Sequence, residues 1–258
     1  MITSTTENGI GRITLNRPDK RNALTHELIE QLQEAVQEQG SDPQLRLLIF
    51  QATGKVFCAG MDLGEMQQRA CSPHAEQEWM EDSKVYCNLL TKIFTLPVPT
   101  VAAIQGPVLA GGMGFVLACD FMVSVESAFF ALPEPLRGIT AAIVTPLLIH
   151  RVGAGTASHW LLSGEQVSPQ RAMQVGLVHD VVPDELLERR IDMLAKSILT
   201  GSPRALAITK QHVLDCSPSP VVSQLRDSVQ VSAVARGTDD AREGLAAFLE
   251  KRKPHWQR

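Results

Sequence analysis

Short apolar runs of β character alternate with stretches of helical spacing through the first half of this chain, and that rhythm admits few folds. Residues 10–15 and 45–51 read as strands. Between them Thr25 can cap a helix whose Leu28, Leu32, Ala35 and Val36 fall on one face. After a more polar segment over 65–84 the rhythm returns, with a strand predicted over 99–105, a helix over 111–119, and strands over 121–125 and 128–132. From about residue 167 the pattern turns helical, with starts at Ser168-Pro169, Pro183-Asp184 and Pro203. The expected organisation is therefore α/β, with a βα core over residues 1–195 and a helical region over 196–258.

Composition removes several classes of function. A formal net charge of -4 and a pI near 6.0 supply no positive field for nucleic acid or anionic lipid. The first nine residues are polar, and the small-residue stretch over 97–119 is broken by Pro99, Gln105 and Pro107, so neither a signal peptide nor a membrane span is expected. Five cysteines, with no C-x-x-C pair, read as reduced thiols of a cytoplasmic protein. No H-E-x-x-H pair, zinc-spaced cluster or G-x-S-x-G elbow is present, so neither a catalytic metal nor a serine nucleophile is expected.

Three segments carry candidate chemistry. In the first, Lys55 to Leu63, a strand end runs through Ala59 and Gly60, where a ligand can approach the backbone and N–H groups near a helix start lack partners; an ordinary βα turn has the same look. Asp62 there, like Asp120, reads as a cap or turn residue. In the second, Ile104 to Gly114, a strand passes through Gly106 and Gly111-Gly112-Met113-Gly114 into an apolar helix. Its free N–H groups suit an oxygen that gains charge, although close packing alone would also call for glycine. Leu117 stands where a dinucleotide fingerprint needs its last glycine. In the third, Glu134 lies between Pro133 and Pro135, which predicts a restrained, extended carboxylate. It is either a proton-transfer group in an apolar pocket or a surface partner of Arg137.

Taken in this order, and with the segment Leu15 to Leu24, the three motifs resemble the enoyl-CoA hydratase/isomerase (crotonase) superfamily. Gly164-Glu165, Gly176-Leu177-Val178 and Glu243 to Arg252 also look like its landmarks. The resemblance implies a crotonase-like spiral of repeated strand-strand-helix units with a C-terminal helical region that assembles trimers, often paired into hexamers. It implies an acyl-CoA thioester as substrate, with coenzyme A part of that substrate and no separate cofactor. By motif matching, the N–H groups of Met61 and Gly111 form the oxyanion hole and Glu134 is the catalytic carboxylate. Substrate contacts are expected at Arg21, Ala23, Ala59, Asp62, Leu63, Gly64, Gly114, Phe248 and Lys251, with Arg21, Lys55 and Lys251 the candidates for coenzyme A phosphates.

The chain departs from the two-glutamate hydratases at Gly114, where they carry their other glutamate. A single carboxylate is similar to the enoyl-CoA isomerases. The run from Gly112 to Phe115, the Glu134 loop and Gly138 to Pro146 look closer to bacterial methylglutaconyl-CoA hydratases, so hydration is expected ahead of isomerisation and of an inert acyl-CoA-binding scaffold. Glycine at 114 is expected to enlarge the pocket for a branched or acidic acyl group, or else merely to permit close helix packing.

Overall fold

The computed structural model describes residues 1–257. The chain opens with a hairpin, β1 (Ile2–Glu7) and β2 (Ile10–Leu15), followed by α1 (His26–Ser41) and β3 (Leu47–Ala52). Two helices, α2 (Leu63–Ala70) and α3 (Ala75–Thr95), lead into β4 (Thr100–Ile104), β5 (Val108–Leu109), α4 (Gly111–Leu117), β6 (Phe121–Val125) and β7 (Phe130–Ala131). A 3-10 turn over Glu134–Arg137 precedes α5 (Thr145–Ser163), β8 (Gln166–Val167), α6 (Pro169–Gln174) and β9 (Asp180–Val182). The remainder is helical: α7 (Leu187–Leu199), α8 (Pro203–Asp215), α9 (Val221–Arg236) and α10 (Asp239–Leu249).

Six strands form one sheet in the order β1-β2-β3-β4-β6-β9, antiparallel only at the β1–β2 hairpin. Strands β5, β7 and β8 form a second, smaller sheet. The two middle turns of the chain each lay one strand in the large sheet, the next in the small one, and then a helix: β4, β5, α4, then β6, β7, α5. This is the spiral of strand-strand-helix units. Strand β4 is buried throughout, as a parallel strand covered on both faces should be, whereas β2 alternates half-buried and buried residues. The core runs continuously from Ile13 and Phe50 through Phe115 to Leu225 and Val229 of α9, which packs along α3.

The differences from the sequence reading have local causes. Strand β1 reads as polar because its Thr and Ser side chains face solvent. Its signal is Asn8-Gly9, both at positive φ (51° and 77°), which suits a two-residue hairpin turn. The polar segment over 65–84 is helical except at 71–74, its charges drawn into pairs such as half-buried Arg69 Nε with Asp82 at 2.6 Å. The strand expected over 128–132 shrinks to Phe130–Ala131, because the small sheet offers only a two-residue register before Pro133 turns the chain. Glu134 begins a 3-10 turn rather than extended chain. The Leu136 N–H to Pro133 carbonyl bond (3.1 Å) and Gly138 at φ 68° close that turn.

Helix α10 meets this turn backbone to backbone. A Cβ on Gly244 would collide with the Arg137 carbonyl, and one on Gly138 with that of Asp240. Neither carbonyl belongs to a flexible side chain. Gly244→Ala should therefore destabilise the protein by about 2 kcal/mol, the usual range for overpacking a site that cannot yield. Urea titration of the variant against wild type measures this, and an unchanged midpoint would show that the contact can open at no cost.

Candidate active site

Three loops meet at the ends of β2, β3 and β4, and the amide of Asn22 ties the first to the second. Fully buried, it accepts from the Arg17 N–H (2.8 Å) and donates to the carbonyls of Thr53 and Val56 (both 2.9 Å). A buried amide with its groups satisfied fixes loop geometry, because breaking any one bond leaves a desolvated polar group. The backbone completes the seam. Ala59 N–H donates to Arg21 (3.0 Å), Leu24 N–H to Gly60 (2.8 Å) and Asp62 N–H to Leu24 (2.8 Å). The segment Leu15 to Leu24 thus holds the Cys58 to Asp62 strand end in register.

The second and third loops touch through glycine. Gly60 has φ 88°, and a Cβ there would lie 2.6 Å from Ala110 Cβ and 3.2 Å from the Gly111 nitrogen. One on Gly112 would meet the Cys58 carbonyl at 2.8 Å. This closeness sets the loop that carries the Met61 N–H against the one that carries the Gly111 N–H. Neither donates to a protein group among the described residues, and Gly111 is the first residue of α4, where an N–H has no helical acceptor. Ala110, at φ 50° and ψ -126°, holds a strained backbone that costs about 1–3 kcal/mol, and the strain falls at the residue that aims the next N–H.

Both residues line a cavity of about 410 Å³ that also receives Glu134. Glu134 is 6% exposed, its Oε2 is sealed without a partner, and burial pushes its carboxyl up to about 7 against the opposing pull of its own N–H, Arg137 and Arg236. It is not a surface partner of Arg137: no ion pair joins them, and the Arg137 guanidinium instead stacks 3.7 Å over the Phe248 ring. A desolvated carboxyl that titrates near neutrality, beside two free N–H donors, can move a proton while a neighbouring oxygen gains charge.

Arg21, Ala23, Ala59, Asp62, Leu63, Gly64 and Phe248 also line the cavity. Lys20 and Arg21 are exposed at its edge. Asp62 caps α2 through the N–H groups of Gly64 (3.0 Å) and Glu65 (3.4 Å) and pairs with Arg17 at 2.9 Å. Burial pushes its carboxyl up, but these partners outweigh burial and hold it below the usual range. Lys55 and Lys251 are exposed and outside the lining.

Gly114 is outside the lining as well, and of the two readings given for it the contacts favour close packing over enlargement of the cavity. A Cβ on it would collide with the Tyr86 hydroxyl and crowd Leu90 (3.0 Å) and Val144 (3.2 Å). Tyr86, the chain's one tyrosine, is buried, lines the cavity and donates to the Gly111 carbonyl. Sequence reasoning missed it because a tyrosine on the apolar face of a helix has the signature of core. Arg236 and Ser232, at the end of α9, also line the cavity and were missed, since one arginine in a helix reads as solvated.

The raised Glu134 carboxyl predicts a pH-dependent stability. The folded protein holds this proton more tightly than the unfolded chain, so the stability it contributes is full below about pH 4.5 and is lost as pH rises through about 7. The difference corresponds to about 3 kcal/mol. Glu134→Gln has no charge to bury and should lack this slope. Urea titrations of both proteins at about pH 5 and about pH 8 test it, and parallel slopes would show that the carboxyl is not desolvated.

Comparison with known proteins gives the family. The family model described as "Enoyl-CoA hydratase/isomerase" matches residues 5–258. The chain is 33% identical to the 2,3-dehydroadipyl-CoA hydratase of Escherichia coli, covering 95% of this chain and 94% of that one. It is 30% identical to the 1,2-epoxyphenylacetyl-CoA isomerase of the same organism, covering 99% and 97%. Among solved structures, an enoyl-CoA hydratase from Mycobacterium avium superposes with a TM-score of 0.86 at 32% identity, covering 99% of this chain and 98% of that one. The chain belongs to the enoyl-CoA hydratase/isomerase family.

Proposed function

We propose that this protein is a hydratase that adds water across the double bond of a 2-enoyl-CoA. The observation that carries the reading is Glu134, a sealed carboxyl pushed up to about 7 in the same cavity as the free N–H groups of Met61 and Gly111. The thioester oxygen lies between those two donors. Ionised Glu134 takes a proton from water as the hydroxide oxygen bonds to the β-carbon, and the π electrons move to the thioester oxygen as an enolate. Glu134, now protonated, returns that proton to the α-carbon as the carbonyl re-forms. One carboxyl thus serves as base and then as acid, and water is consumed. Lys20 and Arg21 at the cavity edge suit the phosphates of coenzyme A.

The hydratase name of the dehydroadipyl relative supports this reading, whereas the single carboxyl fits a double-bond isomerase equally well. The apolar residues Ile208, Val213, Val231 and Val234 of α8 and α9 are each more than half exposed (59%, 60%, 55% and 59%), which supports a trimer or a hexamer. No helix among the described residues is long and apolar enough to cross a membrane.

Loss of the conjugated-thioester absorbance on adding a 2-enoyl-CoA is the expected result. Its appearance from a 3-enoyl-CoA instead would make the enzyme an isomerase. Glu134→Gln should lower turnover about a hundredfold or more, as for loss of a general acid/base, and near-normal turnover would overturn the assignment. Light scattering at micromolar concentration should give a trimer or hexamer, and a monomer would refute the assembly.

A further inference from the structure

Arg236, the last residue of α9, lines the cavity. It makes no hydrogen bond and no ion pair within 4.0 Å among the described residues. The nearest acid on the neighbouring helices, Asp82, is already taken by Arg69 (2.6 Å) and His26 (3.0 Å), and Glu78 also faces Arg69 (3.7 Å). Arg236 thus has no ion-pair partner of its own, its charge being opposed at longer range by Asp82 and Glu134. Among the described residues the sealed, unpaired side-chain atoms are Arg46 Nε, Gln105 Oε1, Glu134 Oε2 and Arg137 Nη1. No nitrogen of Arg236 is among them, so its donors are unpaired without being sealed, and the side chain lines both this cavity and a smaller cleft with Trp79, Asp82 and Arg69.

The guanidinium is also held in place. Trp79 lies under it, with the ring centroid 5.6 Å away, a cation–π distance. One turn earlier on the same helix face, Ser232 accepts a hydrogen bond from Ser83 at 3.1 Å, which leaves its own hydroxyl hydrogen for a ligand. Glu134 is not the missing counterion, because it makes no ion pair with Arg236 and its carboxyl stays pushed up to about 7 with Arg236 in the same cavity. Arg137, the cavity's other inner cation, has Nη1 sealed and its guanidinium spent on Phe248. None of the donors of Arg236 is sealed or paired among the described residues, and a planar fork matches a carboxylate in two parallel hydrogen bonds.

We propose that Arg236, with Ser232 beside it, anchors a carboxylate on the acyl chain, so that the preferred substrates are thioesters of dicarboxylic acids. This rests on the acyl-CoA reading above and adds the class of acyl group. Coenzyme A phosphates are an unsuitable occupant, since Lys20 and Arg21 stand exposed at the cavity edge while Ser232 is buried.

Saturated thioesters test the proposal without requiring turnover. Calorimetry would compare succinyl-, glutaryl- and adipyl-CoA with butyryl-, valeryl- and hexanoyl-CoA, each diacid against the neutral chain of the same length. Wild type should bind at least one diacid about tenfold or more tighter than its neutral counterpart. In Arg236→Gln that ratio should fall to near one, and Arg236→Lys should keep part of it. Equal affinities for every pair in wild type would overturn the proposal whatever the variants do, and so would an undiminished ratio in a folded Arg236→Gln. Binding of no thioester at all would instead sink the acyl-CoA reading, and this proposal with it. Failure of the hydration assay alone leaves the binding ratios standing as evidence for the carboxylate anchor.

Discussion

Backbone contact through glycine is the constraint on which this site depends. Two free N–H groups on different loops can serve one oxygen only if the loops lie closer than side chains permit. Gly60 against Ala110 and Gly112 against Cys58 supply that closeness, and Gly106 extends it, since a Cβ there would collide with the Lys55 carbonyl. The ladder between these loops follows: Phe57 N–H donates to Pro107 (3.0 Å) and Leu109 N–H to Cys58 (2.9 Å). The same device recurs at Gly138 and Gly244, where α10 grips the turn that carries Glu134. Donors and carboxyl are thus placed by main chain rather than by adjustable side chains, which favours a preorganised site.

The electrostatics of the cavity depend on pairs that do not form. An ion pair at 4 Å in an effective dielectric of 20 is worth about 4 kcal/mol, or about three pK units. Such a bond between Glu134 and either arginine would return the carboxyl to the ordinary carboxylate range. Arg137 is drawn away by Phe248, and Arg236 is held at Trp79. Burial keeps the proton on this carboxyl to about pH 7, and its two cationic neighbours, fixed elsewhere, offset that only in part.

The parts of the site made of backbone were legible in the sequence, and those made by convergence of distant side chains were not. Gly60, Gly111 and the Pro133-Glu134-Pro135 run announce themselves, because close approach and restricted dihedrals demand particular residue types. Thr25 and Ser168 likewise marked helix starts, and their side chains accept from Leu28 and Arg171. Strand β1 was hidden by its solvent-facing threonines, and α2 and α3 by charges that pair only in three dimensions. Tyr86 and Arg236 lie on α3 and α9, far apart in sequence. Nothing in either helix says that its neighbour will be the other, or that a cavity will open between them.

Position 114 shows how a sequence departure can mislead when side chains are read one at a time. A glycine in place of a glutamate suggests added space, yet that space is filled by the Tyr86 hydroxyl, which donates to the carbonyl of Gly111. In this chain the tyrosine of α3 fills the space beside the glycine of α4. The chemistry of a phenol there differs from that of a carboxylate. Burial pushes the Tyr86 hydroxyl well above its ordinary range, so it stays protonated, and its one proton is committed to the Gly111 carbonyl. Tyr86 therefore fixes the peptide next to the Gly111 N–H and is not available as a base. On the proposed reading every proton that moves must pass through Glu134, which is why its titration near neutrality matters more here than in a site with two carboxylates.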